Sequence, residues 1–215
     1  MSKHAYIFDM DGVLCDSESL LAEAAIQVMR EQYGVSMQPS DFVPHMGSGP
    51  ERYLRGSTAF YGVPIEFPAD MDRVYDRYAD LAETRLQPIS GVHAFITSTR
   101  DKGLRTALAT SAFPFKVEVN LKIAGLSRDA FAALVTGADV ERRKPYPDIF
   151  LAAAQKLNVD PAACVVFEDA VNGVLAAKAA GMYCVGITST FDAASLMEVG
   201  ADECWPHFVN QQVKE

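Results

Sequence analysis

Ala5-Tyr6-Ile7-Phe8-Asp9-Met10-Asp11-Gly12-Val13 is the stretch that decides how this chain folds. Its four leading apolar residues predict a short strand buried on both faces. Two carboxylates, Asp9 and Asp11, then meet the end of that strand. Like charges held this close raise the pKa of one of them unless a cation relieves the repulsion or a proton-transfer task uses it. Taken alone, the pair reads equally well as two solvated loop acids.

Four further apolar, β-rich runs follow, at Arg105 to Ala109, Ala133 to Val135, Cys164 to Phe167 and Tyr183 to Ile187. Between the later runs lie helical patterns at Phe115 to Ala124, Ile149 to Leu157 and Val171 to Ala180. The first and last stop at glycine, the common left-handed helix end. Strands alternating with helices predict an α/β fold, a doubly wound parallel sheet with right-handed crossovers. Such sheets bind ligands at the carboxyl ends of their strands. Asp9 and Asp11, Thr110 and Ser111, and Glu168 and Asp169 all fall at those ends.

From about Asp16 to Leu86 the alternation breaks into helix patterns alone. A first helix is expected from near Ser17, with Leu20, Leu21, Ala24, Ala25, Val28 and Met29 forming one apolar stripe. A second should cover Pro50 to Phe60 and a third Met71 to Leu86. The expected organisation is a catalytic core of residues 1–15 and 88–215 and an inserted α-helical cap domain of residues 16–87. Hinges would lie near Cys15 and near Gln87 to Gly91.

With 215 residues, 49% apolar and 22% charged, the chain can bury a full core. A net charge of -9 argues against broad attraction to nucleic acid or to an anionic membrane, so an anionic substrate needs a local positive site. Neither a signal-peptide pattern nor a membrane-length apolar run is present, and the four scattered cysteines read as reduced core thiols. These features lead to the expectation of a cytoplasmic monomer. Gly47-Ser48-Gly49 follows no strand, so it reads as a loop between helices and not as a dinucleotide fingerprint.

The second acidic pair, in Val165-Val166-Phe167-Glu168-Asp169, would meet the first along one sheet edge. Three or four converging carboxylates make a hard-oxygen site suited to Mg2+. Thr110 and Ser111, with Lys144 held in the rigid loop Lys144-Pro145-Tyr146-Pro147, supply a complement for phosphate. Arg142 and Arg143 beside that lysine read either as extra positive potential or, preferably, as a solvated turn.

In order and spacing, Asp9-x-Asp11-Gly12-Val13, Thr110, Lys144-Pro145 and Glu168-Asp169 resemble the motifs of the haloacid dehalogenase superfamily. The resemblance spans nearly the whole chain and is to its helical-cap phosphatases and β-phosphoglucomutases. It implies that Asp9 is the nucleophile, forming an aspartyl phosphate, and that Asp11 is the general acid and then the base. It also implies Mg2+ held by Asp9, the backbone carbonyl of Asp11 and Asp169, with Glu168 either a ligand or holding a metal-bound water. Thr110 and Lys144 would bind the transferring phosphoryl oxygens, aided by backbone N–H groups near Gly12 and Ser111. His45 and Gly47 on the cap loop, followed by Arg52, Tyr53 and Arg55, are the residues left to contact a small phosphorylated substrate, with sugar phosphates favoured.

Hydrolysis is preferred over phosphomutase activity because Leu21 and Pro50 stand where the mutases carry a histidine and an arginine. Dehalogenation is disfavoured, since a departing halide needs no proton from Asp11. A catalytically silent binding module on the same fold is the remaining alternative.

Overall fold

The computed structural model describes residues 3–213. Six parallel strands form one sheet: β1 (Ala5–Phe8), β2 (Arg105–Ala109), β3 (Ala133–Val135), β4 (Cys164–Glu168), β5 (Tyr183–Ile187) and β6 (Glu203–Trp205). Their order is β3-β2-β1-β4-β5-β6, so the first strand in sequence sits at the centre. Every residue of β1 is buried, as the continuous apolar run requires. Phe8 pairs in register with Leu108 of β2 and Phe167 of β4, and so Asp9 emerges between Ala109 and Glu168.

Alternation along β1 separates two cores. Tyr6 and Phe8 face an aromatic layer, while Ala5 and Ile7 face small residues including Ala107, Val166 and Ala153. The aromatic layer centres on Phe95 of α4 (Val92–Asp101), whose ring lies 5.8 Å from Tyr6, 5.4 Å from Phe167, 5.7 Å from Trp205 and 5.1 Å from Phe208. The other face is covered partly by α6 (Asp148–Leu157) and α7 (Val171–Ala179). The remaining sheet helices are α5 (Pro114–Ala124) and α8 (Ala193–Glu198).

Between β1 and α4 the chain forms α1 (Glu18–Tyr33), α2 (Pro50–Thr58) and α3 (Ala69–Arg85), with short 3-10 turns and, among the described residues, no strand. The apolar stripe expected on α1 is buried in full, and α3 sets Met71, Val74, Tyr78 and Ala82 into the same core. Outside that seam Arg77 meets Glu31 at 3.0 Å and Arg85 meets Glu23 at 2.9 Å; pairs this exposed add little stability. The chain leaves and re-enters side by side, with Asp16 N–H donating to the Gln87 carbonyl at 2.9 Å and Ile89 N–H to that of Leu14 at 2.9 Å. Cys15, Cys164 and Cys184 are buried free thiols, and Cys204 is free and half-buried.

Predicted helix ends agree with these bounds to within about two residues, while α4, α8 and β6 were not anticipated. Because Phe95 meets five other rings, Phe8 among them at 6.4 Å, Phe95→Ala should lower unfolding free energy by about 3–5 kcal/mol. Urea titration checks this; a loss below about 1 kcal/mol would remove α4 from the account of core stability.

Candidate active site

The carboxyl ends of β1, β2 and β4 bring the predicted groups together. Asp9 follows β1, its N–H donating to the Phe167 carbonyl at 3.0 Å, and its carboxylate is buried. Lys144 is buried behind it and donates to Asp9 Oδ1 at 2.6 Å and to Glu168 Oε1. The other oxygen of Glu168 accepts the N–H groups of Asp169 (3.1 Å) and Ala170 (3.2 Å). Oxygen atoms of Asp9, Glu168 and Asp169 all lie within 4.8 Å of one another.

Two glycines make this packing possible. Gly12 has φ +71°, and a Cβ there would overlap the Asp169 carboxylate; a Cβ at Gly173, in the first turn of α7, would overlap that of Glu168. Gly173 thus leaves room for an acid in the first turn of its helix.

Three buried carboxylates against one ammonium leave an excess of negative charge, and the proton affinities respond. Burial most strongly raises the Asp9 carboxyl, Lys144 pulls it back, and Glu168 and Asp11 push it up again, from 3.8 to about 8. Burial and then Glu168 and Asp9 hold Asp169 well above the usual carboxylate range. Burial works against the Lys144 ammonium, but Asp9 and Glu168 outweigh it and raise its pKa. Asp169 Oδ2 is buried without a hydrogen-bond partner. An all-carboxylate cluster with an orphaned oxygen fits a hard divalent cation such as Mg2+.

Asp11 differs from its neighbour. Its carboxylate lies outside the trio, and its Oδ1 accepts from Lys116 Nζ at 2.5 Å, from Asn120 Nδ2 at 3.3 Å and from Ser17. Of the three or four carboxylates expected to converge, three do, and Lys116 holds that of Asp11 toward α5. Lys116 is fully buried and 5.2 Å from the centre of the Tyr78 ring. Burial opposes its charge, but Asp11, Tyr78 and Glu18 raise its pKa.

Asp9, Asp11, Thr110, Ser111, Asp169 and Lys116 line one cleft enclosing about 450 Å3 of empty space, part of it open to solvent. Thr110 is buried at the end of β2, its hydroxyl accepting the Ala112 N–H at 3.1 Å, and Ser111 donates to the Gly47 carbonyl at 3.0 Å. The same cleft is also lined by Glu18, Leu21, Tyr53, Met71, Tyr75 and the loop residues Gly47 and Gly49.

His45, Arg52 and Arg55 do not join this cleft. The His45 ring packs on Gly56, and burial and then Arg52 lower its pKa. Arg55 pairs with Glu51 at 2.9 Å and donates to the Ile65 carbonyl at 3.0 Å, while Arg52 faces a separate surface hollow beside Arg142 and Arg143. Helical rotation explains this: α2 aims Tyr53 into the cleft, which turns positions 52 and 55 about 100° and 200° away. Arg143 is likewise not a solvated turn. It is half-buried, 5.0 Å from the Phe113 ring, and donates to the Ser111 carbonyl at 3.3 Å.

Lys116, Asn120 and Glu18 lie outside the sequence motifs. A signal for the first two existed: they share the buried face of α5 with Val117, Leu121 and Ala124, where polar side chains need partners.

The family model of the haloacid dehalogenase-like hydrolases matches residues 3–181. The chain belongs to that family. It is 43% identical over 202 residues to Protein SUPPRESSOR OF QUENCHING 1, chloroplastic, from Arabidopsis thaliana, a match covering 91% of this chain but 19% of the plant protein. With Hexitol phosphatase B of Escherichia coli K12 it shares 34% identity over 181 residues, 83% of this chain and 80% of that enzyme. A crystal structure of CbbY from Rhodobacter sphaeroides in complex with phosphate superimposes with a TM-score of 0.82 at 26% identity, covering 97% of this chain and 96% of that one.

The raised pKa of Asp9 sets a pH dependence for the metal-free protein. Between about pH 4 and about pH 8 the folded state keeps a proton that the unfolded chain releases, so stability falls as pH rises through that window. Glu18, pushed to about 7 by burial and then Asp11 against the pull of Lys116, acts in the same direction. Thermal melts in EDTA should show the midpoint dropping from pH 5 to pH 8; a rising midpoint would mean these acids are not buried as described.

Proposed function

We propose that this phosphoric monoester hydrolase releases phosphate from a small phosphorylated metabolite, a sugar or polyol phosphate, with Asp9 as nucleophile. The observation that carries the reading is the unequal pairing of two carboxylates in one cleft: Asp9 sits with Lys144 among other acids, and Asp11 is gripped at Oδ1 by Lys116, Asn120 and Ser17. Environments that differ so much assign different roles to like groups.

In this reading an Asp9 oxygen attacks phosphorus in line as the bond to the leaving alcohol breaks, and Asp11 gives that alcohol its proton. Asp11 then takes a proton from water as the water attacks phosphorus. The Asp9–phosphorus bond breaks, phosphate departs and Asp9 is restored. Lys144, Thr110 and the backbone N–H groups near Gly12 and Ser111 neutralise the phosphoryl oxygens, the main need of phosphoryl transfer. Asp9, Glu168 and Asp169, with the backbone carbonyl of Asp11, would hold Mg2+. Bound there, the ion would offset negative charge on acids and phosphate alike.

Residues 16–87 act in this proposal as a cap that rocks on the paired crossings at Asp16–Gln87 and Leu14–Ile89 and closes over the substrate. Leu21 and Pro50 give the cleft an apolar wall at two positions where a mutase would need polar side chains, which favours water as the acceptor. Four unpaired cysteines fit a reducing compartment such as the cytoplasm.

With Mg2+ present the protein should liberate inorganic phosphate from glucitol 6-phosphate. Asp9→Asn should slow this at least ~10⁴-fold, and Asp11→Asn should cut kcat by about 10²–10⁴-fold. A phosphate-release assay decides: an Asp9→Asn protein keeping a tenth of wild-type turnover would rule out the nucleophile.

A further inference from the structure

Tyr53 is 4% exposed, yet its hydroxyl is buried with no hydrogen-bond partner. Oε2 of Glu18 is in the same position. Both residues line the cleft that holds Asp9 and Asp11. Their orphaned state is not general among the described residues: Tyr33 donates to Asp70 at 2.6 Å, Tyr61 to Asp41 at 2.6 Å and Tyr78 to Asn120 at 2.6 Å. A buried polar atom without a partner is costly, and two of them facing one cleft call for a ligand that satisfies both.

The two groups differ in what they ask of that ligand. Burial, then the negative charges of Glu18 and Asp11, hold the Tyr53 phenol well above its ordinary pKa, so it remains an O–H donor. Glu18 Oε2 supplies an acceptor. A hydroxyl satisfies both demands, accepting from Tyr53 while donating to Glu18, and a pair of neighbouring hydroxyls can divide them. An alkyl or aryl group can satisfy neither. Leu21 and Met71 line the same cleft and offer no polar group.

We infer that Glu18 Oε2 and the Tyr53 hydroxyl form the pair that selects hydroxylated leaving groups, making polyol and sugar phosphates the substrate class and excluding simple alkyl phosphates. The inference rests on the phosphate-monoester reading above and adds to it which side chains read the alcohol. Glu18 directly follows Ser17, whose hydroxyl donates to Asp11, so the pair stands beside the proposed general acid, where the departing alcohol would lie, and leaves the phosphoryl group to Lys144 and Thr110. A site built to hydrogen-bond a substrate hydroxyl discriminates strongly against the analogue lacking it, because its own buried groups then stay unpaired.

The test compares glucitol 6-phosphate with n-hexyl phosphate, equal in carbon number and different in hydroxyls, in wild type, Tyr53→Phe and Glu18→Leu. Wild type should favour the polyol ester at least ~100-fold in kcat/KM, and each substitution should shrink that preference at least ~10-fold. Tyr53→Phe keeps the ring that packs 5.1 Å from Phe42, so its thermal midpoint should hold or rise, since the hydroxyl it loses bonds to nothing. A falling midpoint with an unchanged preference would make the hydroxyl structural and overturn the inference. So would a wild type that hydrolyses the two esters equally, or variants that keep the full preference; in both cases the hydrolase reading survives. If no phosphate leaves either ester, nor phenyl phosphate, at any Mg2+ concentration, both readings fall together.

Discussion

Lys144 lies between Asp9 and Glu168, at the one edge where β1 and β4 end side by side. The proposed chemistry depends on that contact. Burying three carboxylates together would cost several kcal/mol for each uncompensated charge, and a single buried ammonium offsets part of it. The remainder appears as the raised proton affinities of Asp9 and Asp169. A cluster left short of positive charge in this way has a standing attraction for a divalent cation and poor tolerance of further anions without one.

The backbone is shaped to keep the acids close. Gly12 and Gly173 each vacate the space of a side chain for a carboxylate, and Asp9 is tied to the Phe167 carbonyl next door. Phe8 and Phe167, the residues just before the two acids, stack at 4.9 Å in the aromatic core. Packing below the sheet edge therefore fixes the positions of charges above it, and Phe95 links that packing to the neighbouring rings. Asp11 escapes the cluster because Lys116 reaches it from α5, so two acids two residues apart acquire opposite surroundings.

How much of this could be read in advance follows from the kind of signal each element carries. Strands β1 to β5 announced themselves as apolar runs, and the residues at their ends were readable because parallel topology fixes where those ends meet. β6 has only Glu203, Cys204 and Trp205, too short to stand out, and α4 carries Thr97, Ser98 and Thr99, weak helix formers that hide its buried positions Val92, Phe95, Ile96 and Thr99. The helices of residues 16–87 were visible, but their rotation was not: Arg52 and Arg55 drew attention by charge, while the cleft takes Tyr53 from the same helix. Lys116 carries no signal of its own in the sequence, because a lone lysine is ordinarily solvated, and only the fold gathers Tyr78, Asn120 and Asp11 round it.

The central claim is that the carboxylate beside Lys144 takes the phosphoryl group onto itself. Acid-quenching the protein during turnover of a phosphate monoester, then mapping peptides by mass spectrometry, tests it directly. The account predicts the mass of one phosphoryl group on the peptide containing Asp9, lost in Asp9→Asn and labile at neutral pH as an acyl phosphate must be. Steady turnover with the phosphoryl group found on another residue would contradict it.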